Sequence, residues 1–380
     1  MVAWNHAYAR GTVPLVVLTI LLFPLARGAL GANYNEHLIW VRHNELRRAG
    51  AQWIRGFVEM HSVNVDDPPR DPNIKAILDA ADAGFSTILS MKWNYKNTDF
   101  PGAGSPELAE ELLRVDTIIR AIWGKVDIVV IGNEPFVEAQ EDQRGRRLSD
   151  FYQTMAEAVI GFRNAQGVDA NLTRLYMGAL NRMDLPDRHT PPVERMLRFI
   201  ASRPELDGVD LHLHIPHMAG HKAMLEYCLA RIRPEQTFLA TEFSMIWHWK
   251  AHMRDEVSEY YRTAYRLAPG TQVYQVIDGA IRDPIPATQW EDFLANESWY
   301  AEHRGFIRSA IALYRATGRL DVATYSACPM RKRRHAFLPT DTPWMLNGII
   351  APSTVQPGPD GTAAENFPWG EEFRLIQAVP

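Results

Sequence analysis

The sequence is poor in cysteine, with only Cys228 and Cys328 in 380 residues. A chain this size with two thiols is not held together by a disulfide framework. Whether these two pair is left open. A basic surplus is also missing: 40 Lys and Arg stand against 45 Asp and Glu, for a net charge of -5. With both signs mixed throughout, the charge balance argues against a nucleic-acid partner, which usually shows a basic face or arm. No Gly-rich phosphate fingerprint follows the first strand pattern, which argues against a nucleotide site. Long apolar runs are absent past the N-terminus. One short run, Val13 to Phe23, follows Arg10 and precedes the small residues "ARGALGA". It falls short of the roughly 20 residues a membrane span needs. It reads as a secretory signal over 1–28, with a kept anchor as the alternative. The expectation is a secreted, extracellular protein, free of the membrane after cleavage. Two sequons, at Asn171 and Asn296, fit a glycoprotein.

What is abundant is alternation. Short β-branched runs take turns with longer amphipathic stretches. Eight strand patterns can be read: "LGANYN" from Leu30, "AQWIRGFVEM" from Ala51, "FSTILSMKW" from Phe85, "VDIVVI" from Val126, "RLYMGAL" from Arg174, "GVDLHLHI" from Gly208, "TFLATEFSM" from Thr237 and "DVATYSAC" from Asp321. Helical patterns lie between them. One, "SPELAEELLRVDTIIRAIWG", opens with Ser105 as N-cap and Pro106 at its first position. Strands alternating with helices imply βαβ units and a parallel sheet. Eight units fit an α/β fold of the (β/α)8 TIM-barrel kind, with an open doubly wound sheet as the alternative. From Phe243 to Arg319 no strand pattern appears, so a helical insertion between strands seven and eight is expected, read as a lid or subsite builder or as a packed helical decoration. The whole of 29–380 reads as one catalytic domain, its tail after Ala351 an irregular wrap.

In such a barrel the active site lies at the C-terminal ends of the strands. Strand four runs into Asn133 and Glu134, in "VDIVVIGNEPF", and strand seven carries Glu242, in "FLATEFSM". Closure of the barrel would set the two carboxylates opposite each other. Glycoside hydrolysis needs such a pair flanking the scissile bond. The acid must stay protonated near neutral pH, so Glu134 is expected to have a raised pKa from partial burial and the charge of Glu242.

"IGNEP" after strand four with "TEF" on strand seven resembles the clan A glycoside hydrolases, in an order similar to families 5 and 39. That resemblance implies a (β/α)8 barrel cleaving O-glycosidic bonds of an oligo- or polysaccharide with retention. It implies that Asn133 contacts the sugar 2-hydroxyl, that Glu134 is the acid/base and that Glu242 is the nucleophile. Arg55, in "GAQWIRGFVEM", resembles the clan's strand-two Arg, which orients the nucleophile. The clan's aromatic floor at strand eight has no Trp here, so Tyr325 is the expected counterpart, with Trp344 from the following loop as the alternative.

Other residues carry chemistry of their own. His212 and His214 share one strand face by the period of two, with His217 just beyond. Three histidines suit a metal-dependent hydrolase, yet the preferred reading has His212 and His214 bonding substrate or a catalytic carboxylate. Trp93 and Tyr95 after strand three, and Trp247 and Trp249 after strand seven, are expected to stack on sugar rings or to pack. "RKRRH", Arg331 to His335, is a solvated loop or a contact for an acidic sugar. No metal or organic cofactor is expected, the expected partner is a carbohydrate, and oligomeric state is open. A barrel that binds carbohydrate without turnover is the remaining alternative.

Overall fold

The computed structural model describes residues 28–35, 37–328 and 335–377. The signal expected over 1–28 lies outside them, apart from Gly28, and so do Arg331 to Arg334 of the basic loop. Eight strands form one sheet: β1 (Ala29–Asn33), β2 (Trp53–Glu59), β3 (Ser86–Lys92), β4 (Ile128–Ile131), β5 (Arg174–Asn181), β6 (Gly208–His214), β7 (Thr237–Ser244) and β8 (Leu320–Ser326). Each pairs in parallel with the next, and β1 pairs with β8, so the sheet closes into a barrel. This is the (β/α)8 fold, with all eight strands where the alternation of patterns puts them.

Sequence explains the layers. The four residues of β4 are Ile, Val, Val and Ile and all are buried, because a parallel strand is covered on both faces. Alternate residues point inward. Trp53, Ile88, Ile128, Val130, Tyr176, Leu239 and Val322 meet inside the lower barrel as a cluster of their own. The other faces pack against the helices. The helix Pro106–Ile122 begins as its sequence suggests: Ser105 Oγ accepts the N–H of Leu108 at 3.2 Å, and Pro106 occupies the first turn. Among the described residues no helix is long and apolar enough to cross a membrane. Cys228 and Cys328 are both buried and are not joined in a disulfide.

Between β7 and β8 the chain forms helices Ile246–Ala251, Glu259–Ala264, Val273–Arg282, Ala287–Asn296 and Ser298–Ala301 before the crossover helix Phe306–Ala316. Most of this insertion is packing, not lid. Val273, Ile277, Trp290 and Phe293 are fully buried within it. Of its residues only Trp247 reaches the lining of the large cleft described below. The tail is less irregular than its Pro and Gly content suggests, since it ends in the helix Trp369–Gln377. Trp369, Phe373 and Ile376 bury one side of that helix, and Trp369 Nε1 donates to the carbonyl of Leu346 at 2.7 Å.

Two strands break the period of two. Gly178 and Leu180 of β5 oppose the adjacent residues Asp210 and Leu211, so β5 carries an extra residue, Ala179, at φ +59°. Asp210 and His212 oppose Leu239 and Glu242, so β7 also carries an extra residue. One added residue moves every later side chain to the other face. Asn181 and Glu242 therefore turn into the barrel mouth, where strict alternation from Tyr176 and Leu239 would send them out to the helices.

The inner layer sets a stability expectation. Leu239→Ala should cost about 2–5 kcal/mol, as for other fully buried leucines. Its urea midpoint should fall accordingly, and an unchanged midpoint would contradict tight packing at this layer.

Candidate active site

The site grows from the end of β4. The chain leaves the strand through Gly132 at φ +110° and Glu134 at φ +47°. A Cβ at Gly132 would come within 3.0 Å of the carbonyl oxygen of Gly178, in a conformation L residues avoid. The left-handed backbone at Glu134 costs on the order of 1–3 kcal/mol and belongs to the kind of strain found at functional sites. The turn is closed by the Glu134 carbonyl, which accepts the N–H groups of Val137 and Glu138. The polar end of an otherwise apolar strand is thus a built turn that aims Glu134 across the mouth.

Arg55, inward on β2, is fully buried. Its Nη1 donates to Glu242 Oε1 at 2.6 Å and its Nη2 to Asn133 Oδ1 at 2.5 Å. Ser90 of β3 and Asn33 at the end of β1 accept its remaining hydrogens at 3.0–3.2 Å. Asn133 is held by its carbonyl end, so its NH2 group is the part left to meet a ligand. Glu242 has a second partner, His214 Nε2, at 3.1 Å, and His214 Nδ1 meets Ser244 Oγ at 2.7 Å.

His212 stands between the two carboxylates. Its Nδ1 is 3.1 Å from Glu134 Oε1, and its Nε2 is 3.6 Å from Glu242 Oε1. Asn181 Nδ2 donates to the same Glu134 oxygen at 2.6 Å. Burial alone would raise the Glu242 carboxyl, but the charges of His212 and Arg55 and the bond from His214 hold it far below its ordinary value. Burial lowers the His212 imidazole, yet Glu242, Glu134 and Asp210 together leave it above the usual 6.5. For Glu134, burial and Glu242 push upward, but the hydrogen bond and charge of His212 outweigh them, so its carboxyl lies below 4.5. This corrects the expected rise. The reason is a partner that strand spacing did not pair with it: the imidazole of His212, 3.1 Å from Glu134 Oε1.

The three-histidine cluster is also corrected. His217 Nδ1 accepts the N–H of Gly220 at 3.0 Å and caps the helix Met218–Leu229. Glu134 instead joins His212 and His214, with one atom from each within 4.8 Å of the others. His212 Nδ1 lies 3.1 Å from Glu134 Oε1, and His214 Nε2 lies 3.1 Å from Glu242 Oε2.

These groups open into a cleft of about 870 Å³ lined by Glu134, Asn181, His214, Glu242, Trp247 and Trp344, among others. A smaller recess of about 140 Å³ lies beside Glu242, bounded by Asn33, Asn35, His214, Trp344 and Asn347. Trp247, 41% exposed, is placed to meet a ligand. Trp93 is not. Lys92 faces the cleft, so alternation turns Trp93 outward, where its Nε1 donates to Glu111 at 2.8 Å and its ring meets Phe151 and Tyr152 edge-on. Tyr325 also points away, for the same reason: Thr324 and Ser326 face inward, while Tyr325 packs on Phe243 and donates to Asn347 at 2.8 Å. Trp344 takes the place expected of Tyr325, with its ring 5.3 Å from that of His214. Trp249 and Tyr95 are buried packing. Asn33, Ser90, Asn181, Asp210 and Thr241 went unremarked in the sequence. Asn33 and Asn181 carried a signal, as polar residues closing β1 and β5.

No protein-family model and no curated protein matches the chain. Solved structures do resemble it. A broad specificity endoglucanase from Clostridium acetobutylicum is 12% identical, with 92% of this chain and 96% of that one covered and a TM-score of 0.49. A xyloglucan-specific endo-β-1,4-glucanase from a metagenomic library, in complex with cellotriose, is 12% identical over 89% of this chain and 87% of that one, with a TM-score of 0.47. A glycoside hydrolase family 5 enzyme from Prevotella bryantii is 12% identical over 82% and 94%, with a TM-score of 0.45. The likeness is one of barrel architecture, which the closed sheet displays by itself.

Two tests follow from the electrostatics. Arg55→Leu should destabilise by about 3–5 kcal/mol, because it leaves Glu242 charged and buried without its partner. Adding Glu242→Gln should recover a large part of that loss, so the urea-unfolding cycle should be strongly non-additive, and additive losses would contradict the pair. The second test is pH. The depressed Glu242 contributes stability that is present above its ordinary 4.5 and is lost as pH falls toward its folded value. The raised His212 contributes stability that is present below 6.5 and is lost as pH rises through its folded value. The urea midpoint should therefore decline on both sides of this window, and Glu242→Gln should flatten the acid side.

Proposed function

We propose that this chain is a retaining glycoside hydrolase of the clan A type, secreted, acting on the O-glycosidic bonds of an oligo- or polysaccharide. The observation that carries this reading is the bracketing of one buried imidazole by Glu134 and Glu242 at the barrel mouth. Double displacement calls for carboxyl groups about 5–5.5 Å apart, the closer of the two known separations. Their environments divide the work. Glu242 is buried, ion-paired with Arg55 and anionic. Glu134 is more open, with its side chain 18% exposed, and borders the large cleft.

In the first step a Glu242 oxygen attacks the anomeric carbon. The bond to the leaving oxygen breaks, and that oxygen takes the proton held between Glu134 and His212. Glu242 is now an ester and Glu134 an anion. In the second step Glu134, with His212, takes a proton from water. The hydroxide oxygen bonds the anomeric carbon, the ester breaks, and Glu242 leaves as carboxylate. Two inversions give retention. Asn133, anchored by Arg55, offers its NH2 to the sugar 2-hydroxyl. Trp247 and Trp344 supply flat apolar faces for sugar rings. The chemistry needs no metal or organic cofactor. Secretion rests on the signal-like N-terminus.

The test is hydrolysis of a panel of 4-nitrophenyl glycosides and soluble plant polysaccharides, with the anomer of the first product followed by NMR. Retention is expected. Glu134→Ala should lower kcat/KM by about 10²–10⁴-fold, the usual weight of general acid catalysis. Glu242→Ala should abolish turnover. Full activity in Glu242→Ala would overturn the reading. Inversion would keep the hydrolysis and change its mechanism. Saccharide binding without product would make the chain a binding barrel.

A further inference from the structure

Below the two carboxylates lies a polar chain that the mechanism above does not use. Thr241 Oγ1 is 2.6 Å from Asp210 Oδ2, and the Thr241 N–H reaches Asp210 Oδ1 at 3.2 Å. His212 Nε2 is 3.1 Å from the same Thr241 oxygen. Asp210, Thr241 and His212 have no exposed surface at all. Burial raises the Asp210 carboxyl above its ordinary value, and the charges of His212 and Arg55 and the two Thr241 hydrogen bonds oppose that rise.

The hydrogens can be assigned by counting. A threonine hydroxyl has one hydrogen to give and two lone pairs. An ionised Asp210 can only accept, so the Thr241 hydrogen goes to it at the short contact. The Thr241 oxygen must then accept from His212, which places a hydrogen on Nε2. Any second hydrogen on the ring sits on Nδ1, facing Glu134. A hydrogen on the Nδ1···Oε1 contact is thus either the acid proton of Glu134 or the second proton of the imidazolium.

We propose that Asp210 and Thr241 are positioning residues that act through His212 to hold the acid proton of the site on the contact between His212 Nδ1 and Glu134. This rests on the glycosidase reading for its catalytic meaning, but not for its geometry. The groups facing His212 come from several strands. Glu134 approaches from the end of β4 and Glu242 from β7, while Asp210 of its own strand lies 3.9 Å from Nε2. Arg55 of β2 stands behind Glu242. His214 bonds the far oxygen of Glu242. Asn181 of β5 is a neutral donor to Glu134. Of the three carboxylates, Asp210 is the one that touches neither the cleft nor its recess, so its effect on the proton is indirect. Removing its charge weakens the hold of the ring on its second proton. The proton should then be lost at lower pH, and the site should lose its acid earlier on the alkaline side.

The test has two readouts. The first needs no substrate: ¹⁵N-histidine NMR of the full chain should show His212 with Nε2–H and a titration above that of free imidazole. Asp210→Asn should lower that titration by about one pH unit, a tenfold change in proton affinity. Thr241→Val should disturb the tautomer, and Thr241→Ser should restore it. The second readout is the alkaline limb of kcat/KM on any cleaved glycoside, which should move down with the NMR titration in Asp210→Asn, with a small change on the acid limb. A folded Asp210→Asn whose His212 titration is unchanged would overturn the proposal. So would a shifted titration with an unmoved alkaline limb. If Asp210→Asn does not fold, Thr241→Val against Thr241→Ser decides it by the same two readouts. Failure of the glycosidase reading is seen separately, as intact turnover in Glu242→Ala, and leaves the NMR result standing.

Discussion

The site is organised around one buried cation. Arg55 has no exposure, and its guanidinium reaches the ends of β1, β3, β4 and β7 through Asn33, Ser90, Asn133 and Glu242. A planar fork with fixed donors is suited to joining several acceptors in one plane. A buried guanidinium needs such acceptors, and a buried Glu242 needs such a cation. Each is tolerable only because the other is there. The consequence is chemical as well as structural. Glu242 stays ionised inside the barrel mouth, and Asn133 is locked by one end while the other remains for a ligand.

The second organising feature is irregularity. A barrel with strict alternation would present one face of each strand to its interior. In β5 and β7 an extra residue changes which side chains reach the mouth. Asn181 and Glu242 both arrive there by this means. Ala179, at φ +59°, marks the first of these bulges. Together with the left-handed Glu134 they place local strain around the carboxylate pair. The regular lower barrel, with its apolar inner cluster, supplies the packing that holds these departures in place.

The aromatic residues show the limit of reading by proximity in sequence. Trp93, Tyr325 and Trp247 each stand just past or at a strand end. Only Trp247 borders the cleft. The first two follow from alternation once the inward residues beside them are known: Lys92 for Trp93, and Thr324 and Ser326 for Tyr325. Trp344 reaches the site from a loop, by a path no local pattern describes. The histidines divide in the same way. His212 and His214 share the inner face as a period of two requires, while His217, beyond the strand, is taken by a helix cap.

The sequence by itself determined the eight strands and the helices that alternate with them, in outline. β-branched runs bounded by turn residues, eight times over with amphipathic stretches between, leave few other ways to bury so much apolar surface. It also determined that Asn133 and Glu134 end β4 and that a carboxylate lies on β7, because those residues interrupt otherwise apolar strands. What only the tertiary structure decided is who meets whom. The pairing of His212 with Glu134, which reverses the expected direction of the Glu134 titration, depends on two strands at a distance set by barrel closure. The inward turn of Glu242 depends on a bulge that leaves no mark in residue type. The chain from Asp210 through Thr241 to His212 joins β6 to β7 through side chains that look, one strand at a time, like ordinary polar residues. Local patterns follow from the chain's own periodicity. Long-range electrostatics follow from which strands become neighbours, and that is a property of the closed sheet.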